Sequence, residues 1–257
     1  EQLNKLFRGL DMHKDNGLIT NEDDNLTAYQ KYFYNSVKKK MNLDAVFFLR
    51  ANGEAPKIPL IYFTTIESYD EKTVAQMHKL AWNLGEAPLL FVVTPDQLLI
   101  YNNYEIPRRD EKVETEKLLI ERISLLNDLE VERKLLQYHR VNLETGKYWK
   151  ENNERFKISN RVDSVLIRNL KVMRDVFIKT VGSVSVVHCL LGRAILIKYL
   201  EDRKDSKGNS AFPEGFFGEF SSGATSFVDV LCNKEATYNM FAFFQEKFNG
   251  GMFPLTE

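Results

Sequence analysis

Residues 184 to 203, VSVVHCLLGRAILIKYLEDR, constrain the fold of this 257-residue chain more than any other stretch. Val187, Leu190, Leu191, Ala194, Ile195, Ile197 and Leu200 recur at helical spacing and occupy more than one face. A helix that is apolar nearly all round is either a core helix or a membrane span. His188, Arg193 and Lys198 interrupt this one, so its longest uncharged apolar run falls well short of the roughly 20 residues that a span requires. The stretch is therefore expected to be the most buried helix of the molecule, with other helices packed around it. The charged cluster Glu201-Asp202-Arg203 ends it, and a polar, Gly-containing loop follows.

An apolar fraction of 44% and a charged fraction of 28% exclude a disordered chain. The length suits one large domain or two ordinary ones. A formal net charge of -1 gives no global basic field. Any nucleic-acid contact must then use local patches or another part of a larger protein. Two isolated cysteines, Cys189 and Cys232, make neither a disulfide framework nor a zinc site, so a reducing, cytoplasmic compartment is expected. Cys189 reads as a small buried hydrophobe. There is no signal peptide and no transmembrane segment, and no membrane partner is expected. Glu1 in place of Met, and the abrupt stop at Met252-Phe253-Pro254-Leu255-Thr256-Glu257, lead to the expectation of a fragment.

Taken in order, residues 1 to 25 read as polar and irregular, with acids at Glu22, Asp23 and Asp24. Leu26, Tyr29, Phe33, Val37 and Met41 predict a helix with one apolar face. Lys38, Lys39 and Lys40 near its end are either favourable cations at a helix C-terminus or a phosphate contact. DAVFFLR, residues 44 to 50, and IPLIYFTT, residues 58 to 65, predict strands. Residues 71 to 84 predict a helix with Val74, Met77, Ala81 and Leu84 inward, stopped by Gly85. PLLFVVT and QLLIYNN flank Pro95-Asp96, so residues 88 to 102 predict an antiparallel hairpin. A small α/β domain is thus expected over residues 1–107.

Residues 108 to 137 are dense in charge, with Leu118, Leu119, Ile123, Leu126 and Leu129 at helical spacing and Glu130 four residues before Lys134. They predict a connecting helix, taken as residues 108–144. Residues 145–257 predict an all-α domain. Its helices are expected from Val162, Leu166, Leu170, Met173 and Phe177, from the 184–203 stretch, and from Phe227 to Phe248. Between the last two lies a long Gly- and Phe-containing loop, residues 204 to 225, either functional or mobile.

The common catalytic signatures are absent: no Gly-rich phosphate loop, HExxH, GxSxG or cysteine–histidine metal spacing occurs. His188 reads as a hydrogen-bonded core histidine, and His78, beside Lys79 and Trp82, as a packing residue with a functional alternative. One constellation merits weighing. Many restriction nucleases hold a divalent metal with an Asp from one strand and an acid on the next, and a lysine two residues after that acid polarises the attacking water. Mg²⁺ takes hard oxygen ligands, which is why two carboxylates recur. Here Asp44 opens the first strand as candidate metal ligand, and Glu54 and Lys57 follow, three apart, in a loop. The second strand carries Tyr62 and Thr64 where an acid and a lysine are wanted, and the next helix offers Gln76. The order of elements suits a restriction-endonuclease-like α/β domain, a mixed sheet with flanking helices, but the catalytic pattern is broken.

With those residues in view, the chain resembles the N-terminal part of bacterial N-6 adenine DNA methyltransferases of restriction–modification type, the single-chain, type IIG-like enzymes of the Eco57I-like group. Four segments carry the resemblance. HKLAWNLGEAPLLFVVTPDQLLIYNNYEIP, residues 78 to 107, is similar to the end of their N-terminal α/β domain. TGKYWKENNERFKISNRVDSVLIRNLKVMRD, residues 145 to 175, resembles the start of their helical region. VVHCLLGRAILIKYLEDR, residues 186 to 203, resembles their central helix, and FNGGMFP, residues 248 to 254, the segment before their methyltransferase domain. The resemblance implies DNA as partner, intramolecular contact with a methyltransferase domain, and S-adenosylmethionine as cofactor of the full-length enzyme. The Gly-rich loop and the Asn-Pro-Pro-Tyr/Phe motif that would bind cofactor and flipped adenine do not occur in these 257 residues. The implied nuclease residues fall on Asp44 and, less directly, on Glu54 and Lys57, with Mg²⁺ as their metal. Two further function classes stay open: a non-catalytic protein-interaction module and an active Mg²⁺-dependent DNA endonuclease.

Overall fold

The computed structural model describes residues 2–20, 26–49, 58–107, 115–204 and 209–248. The chain divides into two compact units, Glu1–Leu166 and Ile167–Glu257. In the first, helix α1 (Gln2–Gly9) leads to strand β1 (Leu18–Thr20), and α2 (Ala28–Met41) to β2 (Ala45–Leu49) and β3 (Ile58–Thr65). Helix α3 (Glu71–Leu84) crosses from β3 to β4 (Leu89–Val93), and β5 (Gln97–Asn102) and β6 (Leu119–Ser124) follow. The short helices α4 (Asp128–Leu135), α5 (Arg140–Glu144) and α6 (Lys147–Glu151) precede α7 (Val162–Val181), within which the division falls.

The strands form one six-stranded sheet in sequential order, β1 to β6. Only β3 and β4 pair in parallel, and α3 supplies the crossover that a parallel pair needs. β4 and β5 make the expected hairpin, with Leu89 opposite Asn102 and Val93 opposite Leu98. Alternate side chains leave the sheet on opposite faces. Phe47, Ile61, Phe63, Phe91 and Ile100 pack under Leu6, Phe7 and Leu10 from the N-terminal segment and under Leu135, Tyr138 and Tyr148. Val46, Phe48, Tyr62, Val92 and Leu99 pack under α2 and α3. Strands covered on both faces read as continuous apolar runs, which is why β2 to β5 were plain in the sequence. The helix signals are equally local. Thr27 and Gln30 cap α2 reciprocally, Asp70 accepts the Thr73 amide at the start of α3, and Gly85 ends α3 at φ 68° with its N–H on the Ala81 carbonyl.

Two stretches differ from expectation. The N-terminal residues are not irregular: Leu3, Leu6 and Phe7 give α1 an inward face, Leu10 just after it joins the same core, and Gly17 turns the chain into β1. At φ +115°, a Cβ on Gly17 would lie 2.3 Å from the Phe48 carbonyl oxygen, so a side chain cannot stand there. Within the segment expected as a connecting helix, Leu119–Ser124 forms the edge strand β6, and Asp128–Leu135 and Arg140–Glu144 form the short helices α4 and α5.

The second unit is helical: the continuation of α7, then α8 (Val184–Asp202), α9 (Phe227–Leu231) and α10 (Lys234–Lys247). Its core joins Ile197 to Phe216, Phe217, Phe227, Met240, Phe241 and Phe244. The described part of the long loop, residues 209–225, contributes Phe212, Phe216, Phe217, Phe220 and Ala224 to this core. Phe212 stacks on Phe216 at 4.7 Å, and Phe216 meets the edges of Phe217 and Phe220. Helix α8 is less buried than expected. Only Val187 and Ile197 are enclosed, while Val184, Ile195 and Tyr199 face outward. A helix apolar on all sides has its neighbours here on one side alone. Among the described residues, no helix is long and apolar enough to cross a membrane.

Candidate functional site

Asp44 sits half-buried between α2 and β2. Its backbone extends the sheet pairing, with the N–H on the Phe63 carbonyl, and its own carbonyl accepts the Tyr34 hydroxyl at 3.1 Å. Its carboxylate reaches across to the end of β3. There Oδ2 accepts both the backbone N–H of Thr65, at 2.6 Å, and its hydroxyl, at 2.8 Å. The arrangement is that of a side chain tying two strand ends, with one carboxylate oxygen already taking two donors. Glu54 and Lys57 lie outside the described residues, as does the end of the 248–254 segment beyond Phe248.

Tyr62 and Thr64, which stand where an acid and a lysine would be wanted, are fully buried on the α2–α3 side of the sheet. Tyr62 stacks on Phe33, and the Thr64 hydroxyl donates to the Asn42 carbonyl. Burial pushes the Tyr62 phenol far above its usual range, so it stays neutral. A charged side chain at either position would be stripped of water. Gln76 is exposed on α3 and is not among the groups bonded to Asp44. Among the described residues no group of three or more His, Cys, Asp or Glu side chains could hold a metal ion.

The histidines divide. His78 is buried under α3, as a packing residue would be, with Nε2 donating to the Asn102 carbonyl at 2.8 Å and Nδ1 without a partner. Burial lowers its pKa, and the bond to Asn102 only partly offsets this. His188, expected in the core, is exposed on α8, and Cys189 is only partly buried. Both corrections follow from the one-sided packing of α8. Lys38 and Lys40 fall in the last turn of α2, the place where cations complement a helix end.

A polar cleft of about 360 Å³ in the first unit was not legible beforehand. Asn102, Glu105, Lys117, Arg155, Lys157 and Asn160 line it. Asn102 organises its floor: its amide nitrogen donates to the Arg155 carbonyl at 2.7 Å, and its side-chain oxygen accepts the Tyr104 N–H. Asn160 is held by Glu105 through its side chain and by the Trp82 indole N–H through its carbonyl. The cleft mixes cations, anions and carboxamides, and it contains no nucleophile paired with a base. Its assembly from residues 102–105, 117–120 and 154–160 is tertiary, so no local pattern announced it. No protein-family model, no curated protein and no solved structure matches this chain.

Proposed function

We propose that this chain is the N-terminal region of a restriction–modification DNA adenine N-6 methyltransferase, and that its α/β unit is a restriction-endonuclease-like scaffold that does not cut DNA. In this reading the helical unit connects the scaffold to a methyltransferase domain that binds S-adenosylmethionine and the target adenine. The observation that carries it is the order of the resembling segments along the fold. Residues 78–107 span the second half of α3 and the β4–β5 hairpin, residues 145–175 run through α6 into α7, and residues 186–203 cover most of α8. The Asp44 carboxylate, tied to Thr65, and the buried Tyr62 and Thr64 support a scaffold rather than a nuclease. Contact with DNA then falls mainly to parts beyond these residues, in keeping with the near-neutral net charge of -1.

The test is transfer of a labelled methyl group from S-adenosylmethionine to DNA adenine. The product of the complete reading frame is expected to methylate, and the present 257 residues alone to give none. Methylation by this chain alone, or a reading frame that closes at Glu257, contradicts the proposal. The second outcome leaves the interaction-module reading, which the outward apolar residues of α7 and α8 favour.

A further inference from the structure

Asn102, the last residue of β5, is fixed on every side at the floor of the polar cleft. Its N–H donates to the Leu118 carbonyl at 3.0 Å, and its own carbonyl accepts the His78 ring at 2.8 Å. Its side-chain oxygen accepts the Tyr104 N–H at 2.9 Å, and the residue is only 6% exposed. An amide nitrogen carries two N–H groups. One is spent on the Arg155 carbonyl at 2.7 Å, and the other has no acceptor among the described residues. A donor so little exposed is costly to leave unmet. This one lines a cleft of about 360 Å³, the size of a small-molecule site rather than that of a single ion.

The surrounding side chains select the chemistry. Lys117, Arg155 and Lys157 stand against Glu105 and Glu154, three cations to two carboxylates, and that surplus disfavours a metal cation. No aromatic side chain among the described lining residues offers a nucleobase a stacking surface. Arg155 spends one of its five N–H groups, on the Ile120 carbonyl at 3.4 Å. Lys157 has no ion-pair partner among the described residues. A guanidinium fork beside an ammonium is suited to a phosphate. The remaining groups are acceptors. Glu105 takes the Asn160 amide at 3.4 Å on one oxygen, and Glu154 has no partner among the described residues. Carboxylates beside a phosphate-binding pair repel a bare anion but accept from hydroxyls.

We propose that this cleft binds a sugar phosphate, its phosphate on Arg155 and Lys157 and its hydroxyls among Glu105, Glu154 and the remaining N–H of Asn102. The same group is presented by a free phosphorylated sugar and by the 5′-phosphorylated end of a nucleic-acid strand. The inference does not rest on the methyltransferase reading and stands or falls separately from it.

Calorimetric titration of the purified chain tests it and separates the two sources. The probes are ribose 5-phosphate, ribose, inorganic phosphate, and a short thymidine oligonucleotide with and without a 5′-phosphate. Ribose 5-phosphate, or the 5′-phosphorylated oligonucleotide relative to its 5′-hydroxyl form, is expected to bind at least about ten-fold more tightly than ribose or inorganic phosphate. The first result identifies a free sugar phosphate, and the second alone a strand end. Arg155→Gln and Lys157→Gln, both at exposed positions, are each expected to weaken binding about ten-fold without altering the circular dichroism. Lys40→Gln on α2, which takes no part in the cleft, is expected to change nothing. In a ¹H–¹⁵N spectrum the side-chain amide signals of Asn102 are expected to shift as the probe binds. The proposal is overturned if no probe binds at about 10 mM, or if inorganic phosphate binds as tightly as the sugar phosphate. Equal binding of the two oligonucleotides with none of ribose 5-phosphate also overturns it. So does an affinity that Arg155→Gln and Lys157→Gln leave unchanged, or an Asn102 amide that does not move.

Discussion

Replacing Asp44 with Ala leaves the Thr65 amide and hydroxyl without their acceptor at 2.6 and 2.8 Å. The expected cost is about 1–2 kcal/mol, the range for hydrogen bonds to a charged group at a partly exposed position. Thr65→Val removes one of the two bonds and is expected to cost about half as much. The two changes together should cost less than their sum, since each removes the same interaction. Urea unfolding followed by tryptophan fluorescence measures this, because Trp82 and Trp149 both lie in the first unit. Equal stability in wild type and Asp44→Ala would mean that the carboxylate is not a strand tie. His78 gives a pH dependence of known sign. Its folded pKa is lowered from the ordinary 6.5 by burial, so as pH falls the unfolded chain takes up the proton first. Its contribution is therefore fully present above about pH 6.5 and is lost as pH falls toward the lower folded value, by at most about 1.4 kcal/mol per pH unit. Between about pH 7 and pH 5 the first unit of wild type should lose more stability than that of His78→Gln. Identical pH slopes would contradict the buried neutral histidine.

At the scale of elements, the loop before α9 carries the second unit's core, so Phe216→Ala should cost about 3–5 kcal/mol. Phe216 is nearly enclosed and touches Phe212, Phe217, Phe220 and Phe243. Far-ultraviolet circular dichroism should show helix lost at a lower temperature in Phe216→Ala, while tryptophan fluorescence keeps its wild-type midpoint. A single transition shared by both signals would contradict two separately stable units. The same loop shows what was hidden in the sequence. Its glycines and polar residues gave no periodicity, and its phenylalanines find one another only through tertiary contact. β6 was hidden by a different cause. Opposite β5, Ile100 pairs with Glu121 but Tyr101 pairs with Leu119, so Ile120 is an extra residue. That bulge moves Leu119 to the α2–α3 face while Ile123 lies on the other. The period of two is broken, and Leu118, Leu119, Ile123 and Leu126 are left at spacings that imitate a helix. By contrast, β2 to β5 and α2 and α3 were legible because continuous apolar runs, a stopping glycine and a Pro-Asp turn are local signals. At the candidate site Asp44 stood out by type and position, but its engagement with Thr65 depends on how β2 and β3 pair, which no local pattern discloses.

For the whole molecule, the folded arrangement joins a six-stranded mixed sheet, closed on both faces, to a helical unit that leaves much of α7 and one side of α8 uncovered. An enzyme that cut DNA in the first unit would need charged ligands at a sheet edge open to water and metal. Here the residue just before β2 carries a carboxylate bound to a threonine, and the next strand presents a buried tyrosine and threonine. The most direct test is a nicking assay on supercoiled DNA with Mg²⁺ or Mn²⁺, comparing the wild-type chain with Asp44→Ala. A scaffold predicts intact supercoiled DNA with both proteins and both metals. Metal-dependent nicking by the wild type that disappears in Asp44→Ala would contradict it and make the first unit a working nuclease.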